Sequence, residues 1–249
     1  MHYKIIIAYD GTEFFGWQAL PGLPTVAQTM QDLFAKVFNQ QIMLRGVSRT
    51  DAGVHALGQV ATFKTDLNIK LEQLVCAWNN VLPQSIVIQS CQYVADDFNI
   101  HAHVEQKTYQ YHFFTNRPLP FTARYGWYFR YPVNLDKLKD CLQVFVGTHD
   151  FRSFCTGADK EFKRGTVRTI DSAEFEYVEQ LQAYRITIKG HSFLRHMIRR
   201  IVGACLDVAS SDELGVQTLH TALAEKNPAQ QLPTAPAQGL VLYTVRYKT

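Results

Sequence analysis

The chain has 249 residues, of which 47% are hydrophobic, and a formal net charge of +3 with neutral histidines. This is the composition of a globular protein with a substantial core, and it excludes disordered and fibrous proteins. No run of about 18 uninterrupted apolar residues occurs, which excludes a membrane-spanning helix. No cationic, apolar leader precedes the first predicted strand, so we expect a soluble, cytoplasmic protein. The mildly basic charge permits a polyanionic partner without requiring one.

The first 104 residues predict the element order βαββαβ. An apolar run at residues 3–8 is followed by Asp10 and Gly11, which is typical of a strand entering a turn. Thr25 is a suitable N-cap, and the apolar residues after it recur at helical spacing. The predicted strands cover residues 3–8, 41–47, 57–64 and 85–94, and the predicted helices cover residues 26–38 and 71–78.

Residues 105–249 predict a second, elaborated βαββαβ unit. Its predicted strands cover residues 108–115, 173–177, 184–188 and 240–247, and its predicted helices cover residues 135–145, 193–208 and 214–224. We therefore predict an α+β fold with two domains, residues 1–104 and 105–249. Each is a ferredoxin-like half, and the two join in a central, mainly antiparallel sheet with helices on the outer faces. Two joined sheets make a natural cleft.

Several cofactor and metal motifs are absent from the sequence. There is no GxGxxG after a strand and no GxxxxGK[ST], so neither a dinucleotide site nor a phosphate-binding loop is indicated. HExxH and the CxxC zinc patterns are missing too. Asp51 and His55 lie four residues apart, but no third ligand stands at a familiar spacing. We expect no metal and no cofactor, and a metal-dependent hydrolase using Asp51 with His55 is kept as an alternative.

The polar segment RTDAGVH (residues 49–55) carries the strongest chemical signal. Taken alone, an acid such as Asp51 in a loop beside Gly53 is typical of a backbone turn. However, GVSRTDAGVHALGQVATF (residues 46–63) resembles the defining segment of the tRNA pseudouridine synthase A (TruA-type) family. Five further segments resemble family motifs in family order: YDGTEFFGWQ (9–18), KTYQYHF (107–113), GTHDFRSF (147–154), GHSFLRHMIRRIVG (190–203) and APAQGLVLYTV (235–245). Together they cover nearly the whole chain.

The resemblance implies a set of site residues. The catalytic residues of the family fall on Asp51, Tyr109 and Arg199, where the arginine pairs with the carboxylate and the tyrosine stacks on the target base. Arg49 matches the arginine that supports extrusion of the base. Leu240 and Leu242 match apolar residues that line the uracil pocket. Each of these residues also has an alternative, non-catalytic role. Arg199 is then a solvated helix residue, Tyr109 a core aromatic, Arg49 a phosphate contact, and the two leucines part of the strand packing.

Two positions depart from the family pattern. His101 stands where many relatives have an arginine, which puts one expected RNA contact in doubt. Ser48 stands where glycine is common, and we expect the loop of Asp51 to stay intact.

The implied function is a cofactor-free isomerisation of uridine to pseudouridine. The substrate is tRNA, with uridines at positions 38 to 40 of the anticodon stem-loop as targets, bound in a basic cleft by a homodimer. A second alternative is a non-catalytic RNA-binding module that keeps the fold and its arginines. Such a module has no need for Asp51, whereas a metal-dependent hydrolase is sensitive to a chelator.

Overall fold

The computed structural model describes residues 1–156 and 165–248. Contacts within the chain divide it into two compact units, Met1–Glu105 with Val241–Thr249, and Gln106–Leu240. Both units combine helices with strands that pair mostly antiparallel, which confirms the predicted α+β class. Across the two described ranges, no helix is long and apolar enough to cross a membrane.

In the first unit, helices alternate with strands that pair around a central strand. The elements are β1 (His2–Tyr9), α1 (Val26–Phe38), β2 (Arg45–Gly46), β3 (His55–Lys64), α2 (Leu71–Asn79), β4 (Ile86–Val94) and the last strand of the chain, β10 (Leu240–Tyr247). Strands β4 and β3 flank β1, and both pair with it antiparallel. Strand β3 also pairs with β2 antiparallel and with β10 in parallel.

Local chemistry explains the first helix. The Thr25 hydroxyl accepts the Gln28 N–H at 3.4 Å, as an N-cap should. The helix ends at Asn39, whose left-handed backbone (φ 52°) lets its N–H donate to Ala35 O. Its buried face packs Phe34 edge-to-face on Trp78 of α2, with the ring centroids 4.8 Å apart. The helix predicted from the apolar spacing is therefore confirmed.

One predicted strand is much shorter in the structure. Residues 41–47 form a strand only at Arg45–Gly46. The preceding Leu44 N–H donates to the Gln31 side chain of α1 at 2.8 Å. Because this backbone donor is taken by a side chain, it is not available to a strand partner.

In the second unit, four long or medium strands pair antiparallel and helices accompany them. The elements are β5 (Val104–Phe114), β6 (Trp127–Tyr128), α3 (Leu135–Gln143), β7 (Gly147–Asp150), β8 (Val167–Val178), β9 (Ala183–Gly190), α4 (Met197–Ser210) and α5 (Gln217–Glu225). The strand order is β5, β9, β8, β7, and β6 adds to β5 in parallel. The predicted antiparallel pair is confirmed, since Ala173 lies opposite Ile188.

Two predictions for this unit need correction. The helix predicted over residues 193–208 begins at Met197, because His196 has a left-handed backbone (φ 61°) that no α-helix can include. Strand β7 was not predicted at all. Its four residues, GTHD, carry little strand signal, and pairing with β8 stabilises them instead.

Candidate active site

Asp51 lies in the loop between β2 and β3, which spans residues 47–54. The loop is closed at its base, where Val47 N–H donates to Val60 O at 2.9 Å. A turn follows the acid: Val54 N–H donates to Asp51 O at 3.2 Å, and Gly53 takes φ +77°. Asp51 itself is half-buried and Arg49 is exposed. The fold therefore presents the carboxylate from a tight, defined turn.

The segment between β1 and α1 holds this loop by its backbone. Trp17 N–H donates to Thr50 O, and Gly53 N–H donates to Phe14 O, both at 3.2 Å. Gly16 (φ +89°) packs so closely that a Cβ there would lie 2.5 Å from Thr50 O and 3.1 Å from the Asp51 carbonyl carbon. Only glycine fits this position. The motif YDGTEFFGWQ thus acts as a support for the loop that carries Asp51.

A buried polar group fixes the residue immediately before Asp51. The Tyr9 and Thr50 hydroxyls are hydrogen-bonded at 2.8 Å. The fully buried Gln59 donates from Nε2 to Ser48 O at 2.7 Å and makes a longer contact of 3.5 Å with the Tyr9 hydroxyl. Satisfied buried polar networks of this kind rigidify their surroundings. We assigned no role to Tyr9, Thr50 or Gln59 from the sequence, and the only signal was that all three lie inside the quoted motifs.

His55 ends the loop and contacts the support segment. Gly11 N–H donates to His55 Nδ1 at 3.0 Å, so this nitrogen acts as an acceptor there. Asp10 Oδ1 lies 3.1 Å from the same nitrogen and accepts Thr12 N–H at 3.0 Å. The imidazole is buried, and its hydrogen bond from Gly11 N–H ties the start of β3 to the support segment. Within residues 1–156 and 165–248, no three His, Cys, Asp or Glu side chains group as metal ligands.

Tyr109 lies on β5 of the second unit, opposite Ile188 of β9. It is 7% exposed, and its ring packs edge-to-face on Phe193 with the centroids 5.3 Å apart. Two residues further along the same face, the buried Tyr111 donates its hydroxyl to Pro236 O at 2.9 Å. Burial raises the pKa of Tyr111 far above its usual value, while the nearby positive charge of Arg199 lowers it in part.

Arg199 lies half-buried in the first turn of α4. Its Nε–H donates to Ala235 O at 2.7 Å, and Ala235 N–H donates back to Arg199 O at 3.0 Å. Tyr111 and Arg199 therefore hold adjacent carbonyls, those of Pro236 and Ala235, just before β10. The guanidinium has four more N–H donors besides the one on Nε, so Arg199 can donate further hydrogen bonds while it holds Ala235.

The neighbouring Arg200 has a structural role. Its Nη1 donates to Ser153 O at 3.1 Å and to Cys155 O at 3.3 Å. Burial lowers the pKa of its guanidinium, and the Cys155 thiol lies close to it. Arg195, just before this helix, is exposed.

The two predicted pocket leucines are both deeply buried. Leu240 is 6% exposed and Leu242 is 0% exposed. In the first unit, Val241 lies opposite His55 and Leu242 opposite Ala56, so β10 begins beside the end of the loop that carries Asp51. The first unit thus brings Arg49, Asp51 and the start of β10 into one region. In the second unit, Tyr109 lies two residues from Tyr111 on β5, and Arg199 lies close enough to Tyr111 to act on its charge. The joint site of the two sets stays a prediction.

Comparison with known proteins gives one consistent result. A family model described as tRNA pseudouridine synthase matches residues 5–101 and 141–248. The chain is 33% identical over 254 residues to the tRNA pseudouridine synthase A of Thermodesulfovibrio yellowstonii, covering 98% of each chain. It is 36% identical over 248 residues to the tRNA pseudouridine synthase A 1 of Desulfotalea psychrophila, again covering 98% of each. It is 35% identical over 254 residues to the tRNA pseudouridine synthase A of Limosilactobacillus reuteri, and the match covers 99% of this chain and 97% of that one.

Proposed function

Because the chain belongs to the tRNA pseudouridine synthase family, and is thereby an isomerase acting on tRNA, we propose that Asp51 is its catalytic carboxylate. The observation that carries this proposal is the construction of the Asp51 loop. The loop is held by backbone hydrogen bonds with Phe14 and Trp17 and by the buried Tyr9–Thr50 pair, yet Asp51 itself is only half-buried. A rigid backbone that presents a partly exposed carboxylate suits a nucleophile or a base.

The reaction is an isomerisation, so no atoms or electrons are gained from or lost to another molecule overall. The N1–C1′ bond of uridine breaks, the base turns, and C1′ bonds to C5. The hydrogen on C5 leaves as a proton, and N1 gains one. An ionised Asp51 serves three routes: attack on C6 of the base, attack on C1′ of the sugar, or removal of a proton from the sugar. All three routes require a carboxylate at this position.

Tyr109 and Arg199 are proposed as the partners of Asp51 in the second unit. The ring of Tyr109 is fixed edge-to-face by Phe193, and we propose that uracil stacks on this ring. Arg199 is proposed to pair with the Asp51 carboxylate during the reaction. Arg49, exposed two residues before Asp51, is proposed to support extrusion of the target base, and Leu240 with Leu242 to line the uracil pocket.

The remaining finer expectations belong to the same proposal. The strand order β4, β1, β3, β2 in the first unit supports a ferredoxin-like half, and we propose two such halves with an RNA-binding cleft. The target uridines lie in the anticodon stem-loop, no cofactor takes part, and the enzyme works as a homodimer in the cytoplasm, where its tRNA substrate occurs.

The test uses unmodified tRNA transcripts that carry tritium at C5 of uridine. Each isomerisation releases one tritium to water, and mapping of pseudouridine then gives the position. We expect Asp51→Asn to abolish release while binding tRNA as tightly as the unsubstituted protein. Asp66→Asn, an exposed acid just after β3, is the matched control and should leave release unchanged. Turnover by Asp51→Asn within about tenfold of the unsubstituted protein contradicts the proposal.

A further inference from the structure

The connection between β5 and α3 presents large aromatic side chains to solvent. In this aromatic–arginine segment (residues 116–131), Phe121 is 88% exposed, Tyr131 66% and Leu119 63%. Tyr125 and Tyr128 are exposed as well. Five large, exposed side chains within sixteen residues are typical of a surface that binds a partner. The segment lies between the two ranges that the family model matches, so family membership does not itself assign it a role.

The charged side chains near these rings in the sequence are all basic. From Gln106 to Leu135 the sequence contains no Asp and no Glu, although the whole chain has 22 acids in 249 residues. The segment carries three exposed arginines, Arg117, Arg124 and Arg130. Among the described residues, neither Arg117 nor Arg130 forms an ion pair, and Arg130 instead lies 5.8 Å from the centre of the Tyr128 ring. Arginines interleaved with aromatics are typical of surfaces that bind single-stranded nucleic acid.

The backbone beneath the exposed rings is held in place. Phe129 N–H donates to Phe114 O at 2.9 Å, and β6 pairs with the end of β5. Gln238 Nε2 donates to Gly126 O at 3.0 Å, and Gly126 packs directly on the Phe114 ring. Because the segment is already ordered, binding through its side chains costs less conformational entropy than ordering a mobile loop.

We propose that the aromatic–arginine segment is a tRNA-binding surface. Phe121 and Tyr131 stack on unpaired bases, while Arg117 and Arg130 contact phosphates. The inference rests on tRNA being the substrate, and it adds a contact outside the residues proposed for catalysis. A surface between two copies of the chain is the other use for exposed aromatics. Arg117 and Arg130 form no ion pair among the described residues, and the segment contributes no acid, which favours a polyanion as the partner.

The test measures the dissociation constant for full-length tRNA at two salt concentrations, together with kcat and KM. We expect Phe121→Ala and Tyr131→Ala each to raise the dissociation constant and KM about tenfold, with kcat unchanged. Phe121→Trp keeps a stacking ring and should restore tRNA binding. Arg117→Ala should flatten the dependence of log affinity on log salt by about one unit, as loss of one phosphate contact does.

Tyr177→Ala is the matched control. Tyr177 on β8 is 52% exposed, like the aromatics of the segment. Its neighbours in the sequence, however, include Glu174, Glu176 and Glu179, whose negative charges disfavour a polyanion. We expect its tRNA affinity to stay that of the unsubstituted protein. Unchanged tRNA affinity in Phe121→Ala and Tyr131→Ala overturns the proposal, and so does a change in oligomeric mass that accounts for the loss of affinity. Failure of the unsubstituted protein to form pseudouridine contradicts the proposed function instead.

Discussion

The Tyr9 hydroxyl lies 2.8 Å from the hydroxyl of Thr50, the residue that directly precedes Asp51, and both side chains are buried. A side chain on the first strand therefore sets the position of the loop that we propose carries the reacting carboxylate. Neither residue needs to touch the substrate for this, so Tyr9 is a positioning residue.

We expect Tyr9→Phe to lower kcat about tenfold with little change in KM, because small displacements of a catalytic group slow the chemical step more than binding. The loss of the buried hydrogen bond should also reduce the free energy of unfolding by about 1 kcal/mol. Tyr3→Phe is the control: its hydroxyl, also on β1, donates to Leu67 O at 3.4 Å, and Leu67 follows β3 rather than the Asp51 loop. If both variants lose the same activity, Tyr9 acts through stability alone.

Gly16 provides a second test of the support segment. We expect Gly16→Ala to lower the free energy of unfolding by about 1–3 kcal/mol and to reduce kcat, because the methyl group meets Thr50 O in a left-handed backbone. Gly22→Ala is matched in backbone (φ +75°) but has no atom within 4 Å of its Cβ. Urea unfolding and tritium release should show a stability loss in both variants and a loss of kcat only in Gly16→Ala. Equal kcat in the two argues against a role of this contact in positioning Asp51.

The adjacent arginines of α4 should respond in opposite ways. Arg199→Lys keeps the charge but removes the planar guanidinium and its bond to Ala235 O. We therefore expect kcat to fall on the order of 100-fold, and the free energy of unfolding to fall by about 1 kcal/mol. Arg200→Lys disturbs the bonds to Ser153 O and Cys155 O, and we expect it to lower the free energy of unfolding by about 1–2 kcal/mol with near-normal kcat. Thermal unfolding and kcat measured on both variants decide this, and the reverse pattern contradicts the proposed role of Arg199.

Lys107 gives a prediction for the pH dependence of stability. Burial lowers the pKa of Lys107 from 10.5 to about 8, so the folded state binds fewer protons there than the unfolded state between these values. Its charged form therefore destabilises the fold below about pH 8, and this cost disappears as the pH rises toward 10.5. We expect Lys107→Met to be more stable than the unsubstituted protein by about 1–3 kcal/mol at pH 7, and the gain to shrink through this window.

The control for this experiment is Lys139→Met, at an exposed position on α3. Urea unfolding of both variants at each pH from 7 to 10 separates the effect of burial at Lys107 from the general effect of replacing a lysine by methionine. A gain for Lys107→Met that does not change with pH indicates better packing of methionine rather than removal of a buried charge.

Local signals predicted most elements well. Helix α1 begins after Thr25 as its cap chemistry indicates, and the alternation in β8 and β9 predicts their pairing. Predictions were wrong where a single local contact overrides propensity: Gln31 takes the Leu44 donor and shortens β2, and the left-handed His196 delays the start of α4. Such contacts join residues distant in the pattern or depend on one backbone angle, so periodicity does not reveal them.

The sequence by itself determined the α+β class, the family and the residue types that its chemistry requires, because periodicity and motifs are local properties of the chain. Only the tertiary structure decided how Asp51 is held. The support from Phe14, Gly16 and Trp17, the buried pair of Tyr9 with Thr50, and the parallel pairing of Val241 with His55 all join residues far apart in the chain. Such contacts depend on packing and hydrogen-bond satisfaction across the fold, and no window of sequence contains both partners.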